Sequence, residues 1–201
     1  MSVKTIQERY KEELDRFKRG IIEMTKTAFD ENGGVNPVMY ALVIKEDKLI
    51  ISVLQGLWEL FNTQPEKHKA VEIMKQFNAE MKPIAIAFVS EGWAKIVGEE
   101  EMKNMFDKYG NYLDPGMRPS LSEEKIEVIM LHFETHDRSA VEYVKINRDV
   151  YPVKLEDFEG YDWKSKDEEL IDGLFTDLLQ ENYSEMNQWL EKELSKKYNQ
   201  N

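Results

Sequence analysis

Apolar residues recur at helical spacing along the first stretch of the chain: Ile6, Tyr10, Leu14, Phe17, Ile21 and Phe29, with lysine, arginine and glutamate between them. The spacing predicts an amphipathic helix over about Val3 to Glu31, stopped by Asn32-Gly33-Gly34, a left-handed exit signal. Two apolar runs, Val38 to Ile44 and Leu49 to Leu54, flank the polar turn Lys45-Glu-Asp-Lys48 and read as a β-hairpin. Leu57, Trp58 and Phe61 sit in a connector and are expected to pack under a loop. Pro65 and Glu66 open a second helix to about Met81, with Val71, Met74, Phe77 and Met81 on its apolar face.

Lys82-Pro83 ends that helix, and the nearly continuous apolar run Ile84 to Glu91 then predicts a central strand covered on both faces. Met102, Met105 and Phe106 mark a short helix over Glu99 to Tyr109, and Asp114 to Ser120 is rich in turn residues. Lys125 to Thr135 is a buried strand, His136 to Ser139 a tight turn, and Ala140 to Ile146 the returning strand. Tyr151 to Leu155 reads as a further edge strand, which Pro152 confines to the edge. A wide apolar stripe that includes Leu170, Leu174, Leu178, Tyr183, Trp189 and Leu194 predicts one helix over about Asp167 to Lys197. Such a stripe must cover the sheet, the first helix or a second protomer. The expected architecture is one α+β domain: a five- or six-stranded, mostly antiparallel sheet spanning about residues 35–155, flanked by long helices over about 3–31 and 167–197.

Composition narrows the function classes. The 201 residues include no cysteine, which removes disulfides, thiolate metal sites and a cysteine nucleophile. The N-terminus is charged and amphipathic, with no apolar core of a signal peptide, and no apolar run approaches the roughly 20 residues of a membrane span. A soluble, cytoplasmic protein with no membrane contact is the expectation. Net charge is −12, which disfavours direct binding to a nucleic-acid backbone. The acid is uneven: Lys154 to Asn201 holds 13 Asp and Glu against 6 Lys and Arg, a net of −7, whereas residues 1–31 carry 7 of each sign. A solvated helix face is the simplest use of that acid. A surface mimicking nucleic acid, through Asp172, Asp177, Glu181 and Glu185, is another reading.

Catalytic chemistry is sparse. There is no phosphate-binding loop, since Gly33-Gly34 follows a helix rather than a strand, and no nucleophile elbow. His132, Glu134 and His136 lie at i, i+2 and i+4 of one strand, so alternation puts them on one face. The simplest reading is a strand turning polar as it reaches water. The alternative is a transition-metal site built on those three residues, joined by Asp137 or Glu91, in a metal-dependent hydrolase. Glu91 closes the central strand beside Trp93. A carboxylate there can serve as a base and the indole can stack on a ligand, but Glu91 paired with Arg118 or Lys95 would simply fix a loop. His68 belongs on the exposed side of the second helix.

Three stretches together resemble a group of small proteins from tailed phages and bacteria: Asn36 to Ile44, Ala87-Phe-Val-Ser-Glu-Gly-Trp-Ala94, and Arg118-Pro-Ser-Leu-Ser-Glu-Glu-Lys-Ile-Glu-Val128. In that group a strand ending in Ser/Glu-x-Trp precedes an Arg-Pro-Ser loop and a charged strand entry. The resemblance spans roughly residues 35–150, implies the α+β fold and a phage or mobile-element origin, and carries over no activity. The leading expectation is a non-enzymatic interaction or accessory protein with no cofactor, meeting a protein partner or a second copy through its amphipathic helices. Glu91, Trp93, Arg118 and Trp189 are its candidate contact residues.

Overall fold

The N-terminal helix α1 covers Ile6–Asn32 in a computed structural model that describes residues 6–94, 123, 125–165, 175, 178–179, 188 and 191–197. Its apolar stripe does what the spacing predicts: Leu14, Phe17, Ile21 and Phe29 are buried. The exit is left-handed, with Gly33 at φ +70° and its N–H bonded to the Phe29 carbonyl at 2.7 Å. Strands β1 (Val38–Lys45) and β2 (Lys48–Leu54) form the foreseen hairpin, closed by a Lys45–Lys48 pair. A 3-10 turn over Leu57–Phe61 leads to α2, Gln64–Met81. Thr63 caps α2: its hydroxyl accepts the Glu66 N–H at 3.4 Å and donates to the Glu66 carboxylate at 2.8 Å.

With strands β3 (Ala85–Ala94), β4 (Ile126–Glu134), β5 (Arg138–Asn147) and β6 (Lys154–Ser165), the described residues form a six-stranded sheet of order β2-β1-β3-β4-β5-β6. Every neighbouring pair is antiparallel. The connection from β2 through α2 to β3 steps over β1, so α2 lies across one face while α1 lies across the other. Alternation sorts the core accordingly. Val38, Leu42, Ala85, Ala87, Val89, Ile129, Leu131 and Phe133 pack with α1. Met39, Ala41, Val43, Ile86 and Phe88 pack with Ala70, Val71 and Met74 of α2. The continuous apolar run of β3 is thus explained by cover on both faces. Each large side chain fully buried there contributes about 1.5–3 kcal/mol.

Two expectations need correction. The edge strand is not Tyr151–Leu155 but β6, which starts at Lys154 and extends to Ser165. Its pairing with β5 carries register shifts between Ser139 and Val141 and between Val144 and Ile146, so the inward residues Leu155, Phe158 and Trp163 break the period of two. Second, one unbroken helix over 167–197 does not form. Residues 191–197 are helical, but Phe175, Leu178 and Leu179 are turn, irregular and bend positions. The terminal helical residues lie beside α1, where Lys197 Nζ meets Glu13 Oε1 at 3.7 Å and Leu194 is buried. The helix expected over Glu99–Tyr109 and the loop over Asp114–Ser120 lie outside the described residues.

Candidate functional site

The end of β4 brings His132, Glu134 and, just past it, His136 together, and it is not a strand end meeting water. Glu134 has no exposed surface, and His132 and His136 are buried. Register explains why. His132 stands opposite Phe88 and Glu134 opposite Ile86, both on the α2 face, so these polar groups are carried toward α2 and toward Phe175, Leu178 and Leu179. His136 lies past the strand, in the turn to β5, where alternation no longer governs its direction.

Each of the three is engaged by backbone. His132 Nδ1 donates to the Phe175 carbonyl at 3.2 Å, which fixes the proton on that nitrogen. Glu134 takes two neighbouring N–H groups, Leu178 on Oε2 and Leu179 on Oε1, each at 3.0 Å. His136 Nε2 donates to the Pro83 carbonyl at 3.3 Å. From the opposite side, Asn78 of α2 donates through Nδ2 to the Leu178 carbonyl at 3.1 Å. The Phe175 ring stacks at 4.8 Å on Phe88 and 5.1 Å on Phe61, which adds apolar anchorage to the polar ties. Buried charge needs such partners, because a carboxylate in apolar surroundings without hydrogen-bond donors is strongly disfavoured. Among the described residues no three His, Asp or Glu side chains converge as a metal-binding set. What His132, Glu134 and His136 do among the described residues is hold backbone of another part of the chain.

The clamped segment forms one wall of a cleft of about 440 Å³. Its other walls come from Glu72, Ile73, Gln76 and Ala79 of α2 together with Pro83 and His136. The floor is apolar at Leu178 and Leu179. One acceptor there is idle: Asn78 Oδ1 is buried with no hydrogen-bond partner among the described residues. The Nδ2 bond to Leu178 leaves no freedom to flip the amide, so this oxygen stays as an acceptor.

Glu91 and Trp93 occupy the other face of the sheet, at its opposite end. Glu91 accepts the Val35 N–H, and Arg148 Nη2 approaches its other oxygen at 3.7 Å. Burial pushes the Glu91 carboxyl above its ordinary value; the Val35 N–H and Arg148 oppose that shift, and the Glu127 charge adds to it. Arg148 is held mainly by Glu127, in a two-pronged pair at 2.6 and 2.7 Å. Glu91 thus ties the exit of α1 to the sheet, with Arg148 beside it. Pattern reading had no signal for Arg148, which lies in an irregular stretch after β5. Trp93 is half exposed, with Lys125 Nζ 4.8 Å from its ring centre, a cation–π contact.

His68 is exposed on α2, as expected. Arg118, Lys95 and Trp189 lie outside the described residues, as do Asp172, Asp177, Glu181 and Glu185. No helix among the described residues is long and apolar enough to cross a membrane. No protein-family model, curated protein or solved structure matches the chain.

Proposed function

We propose that this chain is a non-catalytic interaction protein that receives a partner segment in the cleft beside α2. One observation carries the reading: the polar atoms of His132, Glu134 and His136 hold backbone, and two residues that Glu134 fixes, Leu178 and Leu179, line the cleft. Fixed walls suit recognition, because a preformed site loses less freedom on binding. The chemistry of the cleft selects a short partner segment. An apolar side chain would fill the space over Leu178, Leu179 and Ala79. Glu72, Lys75 and Gln76 at the rim would set orientation.

Ala79 lies on an exposed helical position lining the cleft, so Ala79→Trp fills the space without disturbing the core. The test is capture from a nuclease-treated bacterial lysate with the native chain and with Ala79→Trp, beside metal analysis of the same preparations. A stoichiometric partner retained by the native chain and lost by the variant is the expected result. Identical capture by both would remove the cleft from the reading. A tightly bound transition metal, abolished by His132→Ala, would replace it with the metal-dependent hydrolase.

A further inference from the structure

The two edges of the sheet are built oppositely. Edge strand β6 carries Lys154, Glu156, Asp157, Glu159, Asp162 and Lys164, half of its 12 residues, and such charge guards an edge against pairing with another chain. Edge strand β2, Lys48-Leu-Ile-Ile-Ser-Val-Leu54, has one charge in 7 residues and no acid, in a chain of net charge −12. Its side chains stay partly in water, with Ile50 at 38%, Ile51 at 44% and Val53 at 41% exposure. Among the described residues no strand pairs with its outer side.

We infer that β2 is the interface with a second copy of this chain, the two β2 strands pairing antiparallel about a two-fold axis at Ile51. Only that axis pairs all seven residues within the strand: Ile51 with Ile51, Ile50 with Ser52, Leu49 with Val53, and Lys48 with Leu54. The faces agree. Leu49, Ile51 and Val53 stand opposite Ile44, Leu42 and Tyr40 in the hairpin, which puts them on the α1 side of the sheet in both copies. Apolar meets apolar at the Ile51–Ile51 and Leu49–Val53 rungs, and no acid of one copy faces an acid of the other across the strands. The same contact closes on itself, because a charged β6 edge is a poor mate for an apolar β2 edge. The product is a dimer with a continuous sheet rather than a fibre. A single strand pair lies at the small end of interfaces, well below the roughly 1,600 Å² of a standard one, so the dimer dissociates on dilution. The interface uses none of the cleft residues, and its test is separate from the cleft's.

Sedimentation equilibrium of the intact chain over a wide dilution series reads the association directly. The expected result is a monomer–dimer equilibrium whose dissociation constant rises about tenfold or more in Ile51→Lys, which places like charges face to face at the axis. A monomer at every concentration, or an Ile51→Lys dimer as tight as the native one, overturns the inference. A second readout does not depend on the lysine variant folding well. The chain has no cysteine, so Ile51→Cys introduces its one thiol, opposite its own copy across the axis. Mild oxidation should then link two Ile51→Cys chains much faster than two Val53→Cys chains, because Val53 faces Leu49. Equal rates overturn the register.

Discussion

His132 and Glu134 take the two ends of a hydrogen bond that a C-terminal helix would have made. In an unbroken helix the Leu179 N–H would bond to the Phe175 carbonyl four residues back. Here the Phe175 carbonyl accepts from His132 Nδ1, and the Leu179 N–H goes to Glu134 Oε1. Two side chains two positions apart on one strand thereby take the backbone groups of Phe175 and Leu179 that a helical turn would have joined. Glu134 also holds the Leu178 N–H, so its loss leaves two buried donors without their acceptor.

Glu134→Ala should therefore destabilise the protein by about 2–4 kcal/mol, the range for buried donors stripped of a charged acceptor. Glu134→Gln should recover only part of that loss, since the amide NH₂ must face one of the two N–H groups. Hydrogen exchange checks the location. In the alanine variant the Leu178 and Leu179 amides should exchange much faster than the amides of β3. If they stay as protected as in the native chain, Glu134 is not what fastens the segment.

Glu91 gives a pH test with a definite sign. Its carboxyl titrates above 4.5, the ordinary value, chiefly because of burial. Between those two values the folded state holds a proton that the unfolded state has released. Stability from this group is therefore lost as pH rises through the window, and the loss persists above it. Glu91→Gln keeps an acceptor for the Val35 N–H and has no such proton. Urea midpoints should show the native chain losing more stability than Glu91→Gln between pH 4 and pH 7. Parallel profiles would mean that Arg148 and the Val35 N–H offset burial fully.

Much of this architecture is legible in the pattern of the chain, for identifiable reasons. The stripe of α1, the hairpin, the proline start and breaker of α2 and the double-sided run of β3 each follow from one local rule acting alone. The segment at 175–179 does not, because its apolar spacing satisfies a helix while its backbone is claimed by residues more than forty positions earlier. The signal available was the oddity of Glu134 inside an apolar strand, which pointed to a buried partner as readily as to metal or water. Edge strand β6 was obscured by its bulged register and its charges. Arg148 had neither periodicity nor motif to mark it.

The β1–β2 turn offers a stabilising change. Glu46 and Asp47 both have positive φ, 51° and 58°, in a two-residue turn, the type I′ signature. Neither residue suits that region as well as Asn at the first position and Gly at the second. The double change Glu46→Asn, Asp47→Gly should raise stability by about 1 kcal/mol, the relief of left-handed strain exceeding the added freedom of the unfolded glycine. Thermal or urea unfolding measures it. An unchanged midpoint would show that the turn's strain is already relieved by the Glu46 and Asp47 side chains.

Gly160 is the position where β6 comes closest to β5. A methyl group there would lie 2.0 Å from the Val141 carbonyl oxygen and 2.8 Å from the Glu142 Cα, both backbone atoms that no rotamer change can move. Glycine is needed for that approach, not for its φ, and the register shifts flanking Val141 and Val144 mark the same stretch as irregular. Gly160→Ala should cost about 1–3 kcal/mol, as overpacking does when only backbone can yield. The loss should be local in origin. Hydrogen exchange in β6 and along the β5 amides facing it should rise well before that in β1 and β3, because α1 and α2 hold those strands independently of the edge. If Gly160→Ala keeps native stability and native protection in β6, the strand stands farther from β5 than the 2.0 Å approach requires.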